Sequence, residues 1–457
     1  MGKGEAMTKK LLLVSANQLC IPYPVYPLGI SYLKTYLQNK LPELEITVFD
    51  FIDKDYTEFT SFINKFQPDY IGISLRNIDD VNIYKKESYI RHYKSIVETI
   101  RKFSAGKIII GGAGFSIFPE LLFNKLNADF GIYGEGEEQF YKLITTLENK
   151  TDYTIIENLL YKKNGSIIFN KKNQSIKKLE LQFEAPLLDY YWHHSGMLNI
   201  QTKRGCPYHC IYCTYPLIEG HNVRTLSIDS ITETLYDLSE NKKIDYVFFT
   251  DSIFNINNTY NIELAEEIIR KEIKIHWGAY FNFCNFDEKT ISLFQRAGLK
   301  HIEFGTESLS DTMLRNYNKP FKVADIFEAS KICNKLGIDY AHFLILGGYG
   351  ENNETLNETF ENSMKMENTV YFPFIGMRIY PNTRLYDIAL EENKIEASND
   401  LLAPVYYISD KIDISKLKED AVKTKKRWIF PDDELSDIMS KMRDKNKKGP
   451  LWEYLIR

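Results

Sequence analysis

The sequence predicts an α/β chain: an open, doubly wound Rossmann-like sheet first, then a partial (β/α)6 barrel of TIM type, then a mostly helical tail. Three observations predict it. Short continuous apolar runs alternate with amphipathic stretches over residues 10–148, which is how buried parallel strands and their crossover helices read. The alternation lapses over 149–197 and resumes over 198–394. It is lost again over 395–457. These ranges are the expected domain boundaries, with 149–197 as a linker.

In the first unit the expected strands are 11–14, 46–49, 70–74, 108–110 and 130–133, with helical spacing over 28–40 and 89–103. Open α/β sheets bind ligands beyond the carboxyl ends of their strands. Those ends carry Ser15; Ser74, followed by Arg76 and Asn77; Gly111 and Gly112; and Gly134, Glu135 and Gly136. Glycine at a strand end lets the backbone approach a ligand closely, though any one of these is also an ordinary βα turn. In the linker, Asn164-Gly165 marks the two-residue turn of a hairpin over 158–169.

The barrel strands are expected at 198–202, 246–250, 275–280, 301–305, 343–346 and 375–380. Six strands do not close as eight would, so the opening can admit a large substrate. Asp251, Gly305, Glu307, Ser308, Gly347 and Arg378 follow or end these strands, where barrel enzymes place their chemistry. In the tail, 432–443 has helical spacing, with Asp432 and Asp433 in its first turn.

Directly after the first barrel strand stand Cys206, Cys210 and Cys213, in the pattern C-x3-C-x2-C. Three thiolates from one loop can hold three corners of a [4Fe-4S] cluster and leave the fourth iron open to a small molecule. The alternatives are a zinc site or three buried thiols. Zinc normally takes a fourth Cys or His, and His209 lies between the cysteines at no usual ligand spacing.

The bulk composition excludes several classes. A net charge of −5 gives no general drive toward nucleic acid. Six cysteines, three of them clustered, argue against a disulfide framework. There is no signal peptide and no apolar run long enough to span a bilayer, so the expected location is cytoplasmic.

The cysteine spacing, with Tyr212 just before the last cysteine, resembles the signature of the radical S-adenosylmethionine (SAM) superfamily. Gly305-Thr306-Glu307-Ser308 resembles that family's G-x-E-S station. The glycine-marked first unit ahead of it resembles the cobalamin-binding domain of class B radical SAM enzymes. The resemblance implies three cofactors: the cluster, SAM and cobalamin. It implies SAM contacts at Asp251, Gly305, Glu307, Ser308 and Gly347, with Arg378 meeting SAM or cobalamin. For Glu307 the alternative is a charge at a helix amino terminus. It also implies that Ser15, Ser74, Arg76, Asn77, Gly111, Gly112, Gly134, Glu135 and Gly136 surround the corrin and its nucleotide tail.

Many such domains carry D-x-H-x-x-G after the first strand, but residues 17–29 contain no His. Cobalamin bound without a protein imidazole is therefore expected. Arg76 either covers the corrin's lower face or pairs with Asp79 or Asp80. The implied reaction is methylation of an unactivated carbon of a small-molecule or lipid-like substrate, through methylcobalamin and a 5′-deoxyadenosyl radical. An electron donor such as flavodoxin or ferredoxin would serve it. The alternatives are rearrangement or cyclisation without methyl transfer, and a non-catalytic corrinoid or iron–sulfur binding protein.

Overall fold

The computed structural model describes residues 8–456 apart from 21, 173–178, 431–440, 442–447 and 451. The first sheet runs β1 (Lys10–Ser15), β2 (Glu45–Asp50), β3 (Tyr70–Ser74), β4 (Lys107–Gly111), β5 (Phe130–Ile132), β6 (Leu159–Lys163) and β7 (Ser166–Phe169). Its spatial order is β2-β1-β3-β4-β5-β6-β7, parallel as far as β5. The hairpin β6–β7 pairs antiparallel with β5, so it extends this sheet rather than standing apart in a linker. Its turn follows from its residues: Asn164 and Gly165 have φ of 52° and 82°, as a mirror-image turn requires. The linker helix Ala185–Ser195 is also tied down, its Tyr191 hydroxyl donating to Asp50 Oδ2 at 2.7 Å.

The barrel follows. β8 (Leu198–Ile200) leads to the short pair β9 (Lys203–Arg204) and β10 (Arg224–Thr225). Then come β11 (Tyr246–Phe249), β12 (His276–Phe281), β13 (Leu299–Glu307), β14 (Asp339–Leu346) and β15 (Thr369–Ile375). The six-stranded sheet has the order β8-β11-β12-β13-β14-β15, all parallel. Outward residues such as Val247, Trp277, Phe304 and Tyr340 pack with Leu264, Phe294 and Ile326 of the surrounding helices into one apolar core.

The last strand lies earlier than the sequence suggests. The run 375–380 is not β15; Met377 and Arg378 form β16 (Met377–Arg378), antiparallel to β17 (Tyr406–Tyr407) in the tail. The true strand was concealed by Pro373, which reads against a strand. Within the sheet β15 pairs only with β14, and a sheet edge tolerates a residue without an N–H. Its free side takes a single bridge, Tyr371 to Trp428. The described helices of the tail are Leu417–Lys423 and Glu453–Ile456. The expected helix at 432–443 lies outside the described residues but for Lys441. No described helix is long and apolar enough to cross a membrane.

A second core spans the seam between the units. Phe115, Ile117 and Phe118 of the first unit share it with Ile211, Leu385 and Ile388. Buried ion pairs cross the same seam. Asp79 accepts from Arg378 Nε at 2.8 Å, with both side chains at most 2% exposed. Arg204 Nη2 reaches Glu137 Oε1 at 2.8 Å, and Arg224 Nη1 reaches Glu135 Oε1 at 2.5 Å.

Removing one partner of a buried pair strands the other charge without water. Asp79→Ala should therefore cost about 3–5 kcal/mol in urea unfolding. Asp79→Ala combined with Arg378→Met should cost less than the sum of the two single changes. A loss below about 1 kcal/mol for Asp79→Ala would contradict this account.

Candidate active site

The cysteine loop is pinned by its neighbours. Gly205 has φ +95°, and a Cβ there would lie 2.2 Å from the Asn222 carbonyl, so only glycine fits. The Gly205 amide donates to Glu219 Oε2 at 2.9 Å, and the Ser252 hydroxyl donates to the Gly205 carbonyl at 3.1 Å. The Cys206 amide bonds the Gly220 carbonyl at 3.1 Å, and the Ile211 amide bonds the Tyr317 carbonyl at 3.3 Å. Burial pushes all three thiols up, Cys213 to about 12. Amides of Tyr208, Cys210 and Tyr215 oppose it by donating toward sulfur. Such donors favour the thiolate, the form that binds iron.

Beside this loop, β13 carries a bulge between Gly305 and Glu307 against β14. Glu307 sits there at φ 56°, a left-handed conformation costly for glutamate. Bulges re-aim side chains, and this one turns Glu307 toward the cysteines. Its carboxylate accepts from the Tyr212 hydroxyl and lies 3.2 Å from Lys319 Nζ. Burial works against the charge of Lys319, but Glu307 and the Cys210 thiolate raise its ammonium above the ordinary range.

Other barrel residues have different work. Asp251 is fully buried. Its Oδ1 accepts the Thr202 and Lys203 amides, and its Oδ2 accepts Thr202 Oγ1 and Lys203 Nζ. Both oxygens are engaged in holding the strand that presents the cysteines. Ser308 is buried against Thr359 Oγ1 at 3.1 Å and caps the Ser310 amide. Arg378 donates to Asp79 and to the Ile379 and Leu401 carbonyls, which engages three of its five N–H groups within the protein. A Cβ at Gly305 would lie 3.5 Å from Glu307 Oε1, and the Gly347 amide donates to Glu351. Burial raises the Glu351 carboxyl to about 7.

At the carboxyl ends of β3, β4 and β5 lies a cavity of about 230 Å³. Ser74, Gly111, Gly112, Gly134, Glu135 and Gly136 line it, and Gln201, Arg204 and Glu219 close it from the barrel side. Gly112 has φ +100°, and a Cβ there would meet the Leu75 carbonyl at 2.9 Å. Two expected residues lie elsewhere. Ser15 is buried and bonded to the Asp50 carboxylate, and the Asn77 carbonyl accepts the Tyr93 hydroxyl.

Arg76 projects from the loop after β3 and pairs with neither Asp79 nor Asp80. Its side chain is exposed in the protein alone, yet the surrounding protein still pulls its guanidinium below its ordinary value, with Tyr215, Tyr280, Tyr191 and Tyr93 opposing. Tyr215, two residues past Cys213, feels both the Cys213 thiolate and Arg76. The cysteine loop and the first unit's ligand face thus open on one space.

Lys319, Glu219, Arg204, Tyr215 and Tyr280 went unnoticed in the sequence. Arg204 is two residues before Cys206 and could have been flagged by position. Lys319 lies 106 residues beyond Cys213 in sequence, and only the fold brings it to the cysteines.

The site fits its expected occupants: three thiols with donors to sulfur, a re-aimed carboxylate beside them, and a glycine-walled cavity closed on the barrel side by Gln201, Arg204 and Glu219. The Radical SAM superfamily model matches residues 200–362, and the B12 binding domain model matches 14–144. An uncharacterized methyltransferase of Pyrococcus horikoshii is 26% identical over 384 residues, covering 82% of this chain and 80% of that protein. A tryptophan 2-C-methyltransferase of Streptomyces laurentii is 21% identical over 436 residues, covering 81% and 72%. The radical SAM methyltransferase TsrM of Kitasatospora setae, solved with tryptophan and a SAM analogue, superposes with TM-score 0.89 at 19% identity, covering 98% and 97%. The same protein solved with cobalamin and a [4Fe-4S] cluster gives 0.88.

Replacing Cys206, Cys210 and Cys213 together by Ala should abolish iron binding, where the wild type reconstituted without oxygen holds about four irons per chain. Iron analysis and SAM cleavage measured together check this. A triple variant that still cleaves SAM would overturn the assignment.

Proposed function

The chain belongs to the cobalamin-dependent radical SAM enzymes, and from that premise we propose that it methylates a carbon of a small organic substrate. When bound, cobalamin supplies the methyl carrier and the cluster with SAM supplies the radical. The protein's part is placement.

The observation that carries the reading is Tyr215, which stands within electrostatic reach of both Cys213 and Arg76. A substrate in that space would meet both reactive centres. Glu307, braced by Tyr212 and Lys319, is suited to hold SAM beside the thiolates, because a carboxylate accepts from two hydroxyls or an amine. Ser74 and the glycines at 111, 112, 134 and 136 are suited to the corrin's nucleotide tail.

Arg76 is suited to the corrin's lower face. A guanidinium keeps its charge and has no lone pair to offer cobalt. It would exclude a lower ligand and ease departure of the methyl group. Electrons would come from a flavodoxin- or ferredoxin-like donor.

Two measurements test this. Electron paramagnetic resonance of the cobalt(II) protein should show no nitrogen superhyperfine splitting, and clear splitting would sink the Arg76 assignment. With methyl-labelled SAM, a reductant and candidate substrates, label should appear on the corrinoid and then in product. One 5′-deoxyadenosine and one S-adenosylhomocysteine should accompany each product. Deoxyadenosine without labelled corrinoid would replace methylation by rearrangement.

A further inference from the structure

A closed barrel fills its interior with layers of side chains. Here the deeper inward positions, His301, Ala341 and Val370, are fully buried, whereas some inward side chains nearer the carboxyl ends of the strands are more open than their outward neighbours. On β14 the outward Tyr340 and Leu344 are fully buried, whereas the inward Phe343 is only half-buried. On β15 the outward Tyr371 is fully buried and the inward Phe372 is half-buried. On β12 the inward Tyr280 is 37% exposed, although it sits in the middle of a parallel sheet.

The register sets these side chains in one row. Tyr280 pairs with Glu303, Glu303 with Ala341, and Phe343 with Phe372 two residues further on. The Phe343 and Phe372 rings stack at 5.0 Å. Below the row the lumen closes. His301, one inward position deeper, is held by Tyr246 at 2.6 Å and Glu453 at 3.2 Å. Trp452 enters from the tail and donates from Nε1 to Glu303 Oε1 at 2.9 Å.

Glu303 is the one carboxylate on this row between the closed end and the Gly305 bulge. It is 2% exposed, and no described residue makes a second hydrogen bond to it. Its charge reaches the phenols of Tyr23 and Tyr280, which burial and Glu303 together push up. Those same phenols feel Arg76 from across the space. Glu303 therefore lies beside Tyr280 on the inward face of the barrel, almost fully buried.

Burial raises the Glu303 carboxyl above its ordinary range, with His301 and the Trp452 hydrogen bond opposing that and Glu453 adding to it, so a cationic partner would favour its charged form. Aromatic faces around it favour a cation over a neutral or anionic partner. We infer that Glu303 receives a protonated amine of the substrate at the closed end of the barrel lumen, with the substrate's body lying along Tyr280, Phe343 and Phe372. This rests on the methyltransferase reading only in taking the lumen as the substrate's place. It names a substrate class: a compact molecule with an aromatic or flat apolar body and a basic nitrogen at its buried end.

The test uses the holoenzyme, loaded with iron and cobalamin, and matched probes that differ in the terminal group alone. Tryptamine and tyramine are the amines; tryptophol and tyrosol are their neutral counterparts. Calorimetric titration should show each amine binding about 10-fold more tightly than its alcohol, the factor that one modest charge interaction gives. Glu303→Gln keeps an acceptor for Trp452 and should abolish the preference. Trp452→Phe keeps the charge and should retain it. Iron and corrin content checks that both variants are loaded; if Glu303→Gln loads poorly, Glu303→Asp should weaken amine binding relative to alcohol binding. Equal affinities for amine and alcohol, no amine binding up to millimolar concentration, or a preference that survives in Glu303→Gln would overturn the inference. Methyl label on the wild-type corrinoid is read separately, so loss of the methyltransferase reading leaves the amine preference standing, and the reverse.

Discussion

The seam between the two parallel sheets is the constraint on which the rest depends. Sheets of both kinds ordinarily bind ligands at the carboxyl ends of their strands, so a reaction shared between the units needs those ends to face each other at fixed separation. Apolar burial alone is non-directional and tolerates sliding. The seam adds Asp79–Arg378 on one side and Glu135 and Glu137 with Arg204 and Arg224 on the other. Buried pairs of this kind are weak sources of net stability but strongly penalise misalignment, because a shifted charge is left unpaired. Arg204 also abuts Gly205, so one side of the clamp is built into the start of the cysteine loop.

The fold was legible wherever periodicity and turn chemistry agreed. The helix over 28–40 has the predicted span, and Asn164-Gly165 is the two-residue turn of the predicted hairpin. It was illegible where a local signal opposed the tertiary setting. Pro373 argues against a strand, yet β15 is a sheet edge and can hold it. The bulge at Gly305 was read as the loop after a strand, because nothing in Gly305-Thr306-Glu307 distinguishes a strand that continues through a kink from one that has ended. The hairpin was assigned to a linker because pairing with β5 is a long-range fact that spacing does not carry.

The site was legible where its chemistry is local. Three cysteines in one loop and glycines at successive strand ends announce themselves. Single polar residues at strand ends did not, since the sequence cannot tell a ligand from a brace. Asp251, Ser308 and Arg378 occupy ligand-like positions, yet each has hydrogen-bonding groups engaged by the protein. Lys203 explains Asp251: burial pulls its ammonium down and Asp251 opposes that, so the pair exists to keep a buried lysine charged. Glu307, in contrast, stands on a strained backbone with Tyr212 and Lys319 aiming it. Strain at a polar residue is the kind of signal that only coordinates reveal.

The open barrel gives the tail its physical reason. A six-stranded sheet that does not close leaves an edge and a floor that water could enter. The tail covers both. At the edge, the Tyr371 amide donates to the Arg427 carbonyl, the Ile429 amide returns to the Tyr371 carbonyl, and Trp428 stacks on Tyr371 at 4.7 Å. At the floor, Trp452 and Glu453 reach Glu303, His301 and Tyr246. Sealing matters most for a lumen more open above, because water admitted from below would solvate Glu303 and weaken any charge interaction made there. The tail therefore acts on the low dielectric of the cavity, and through it on every polar contact the cavity can make.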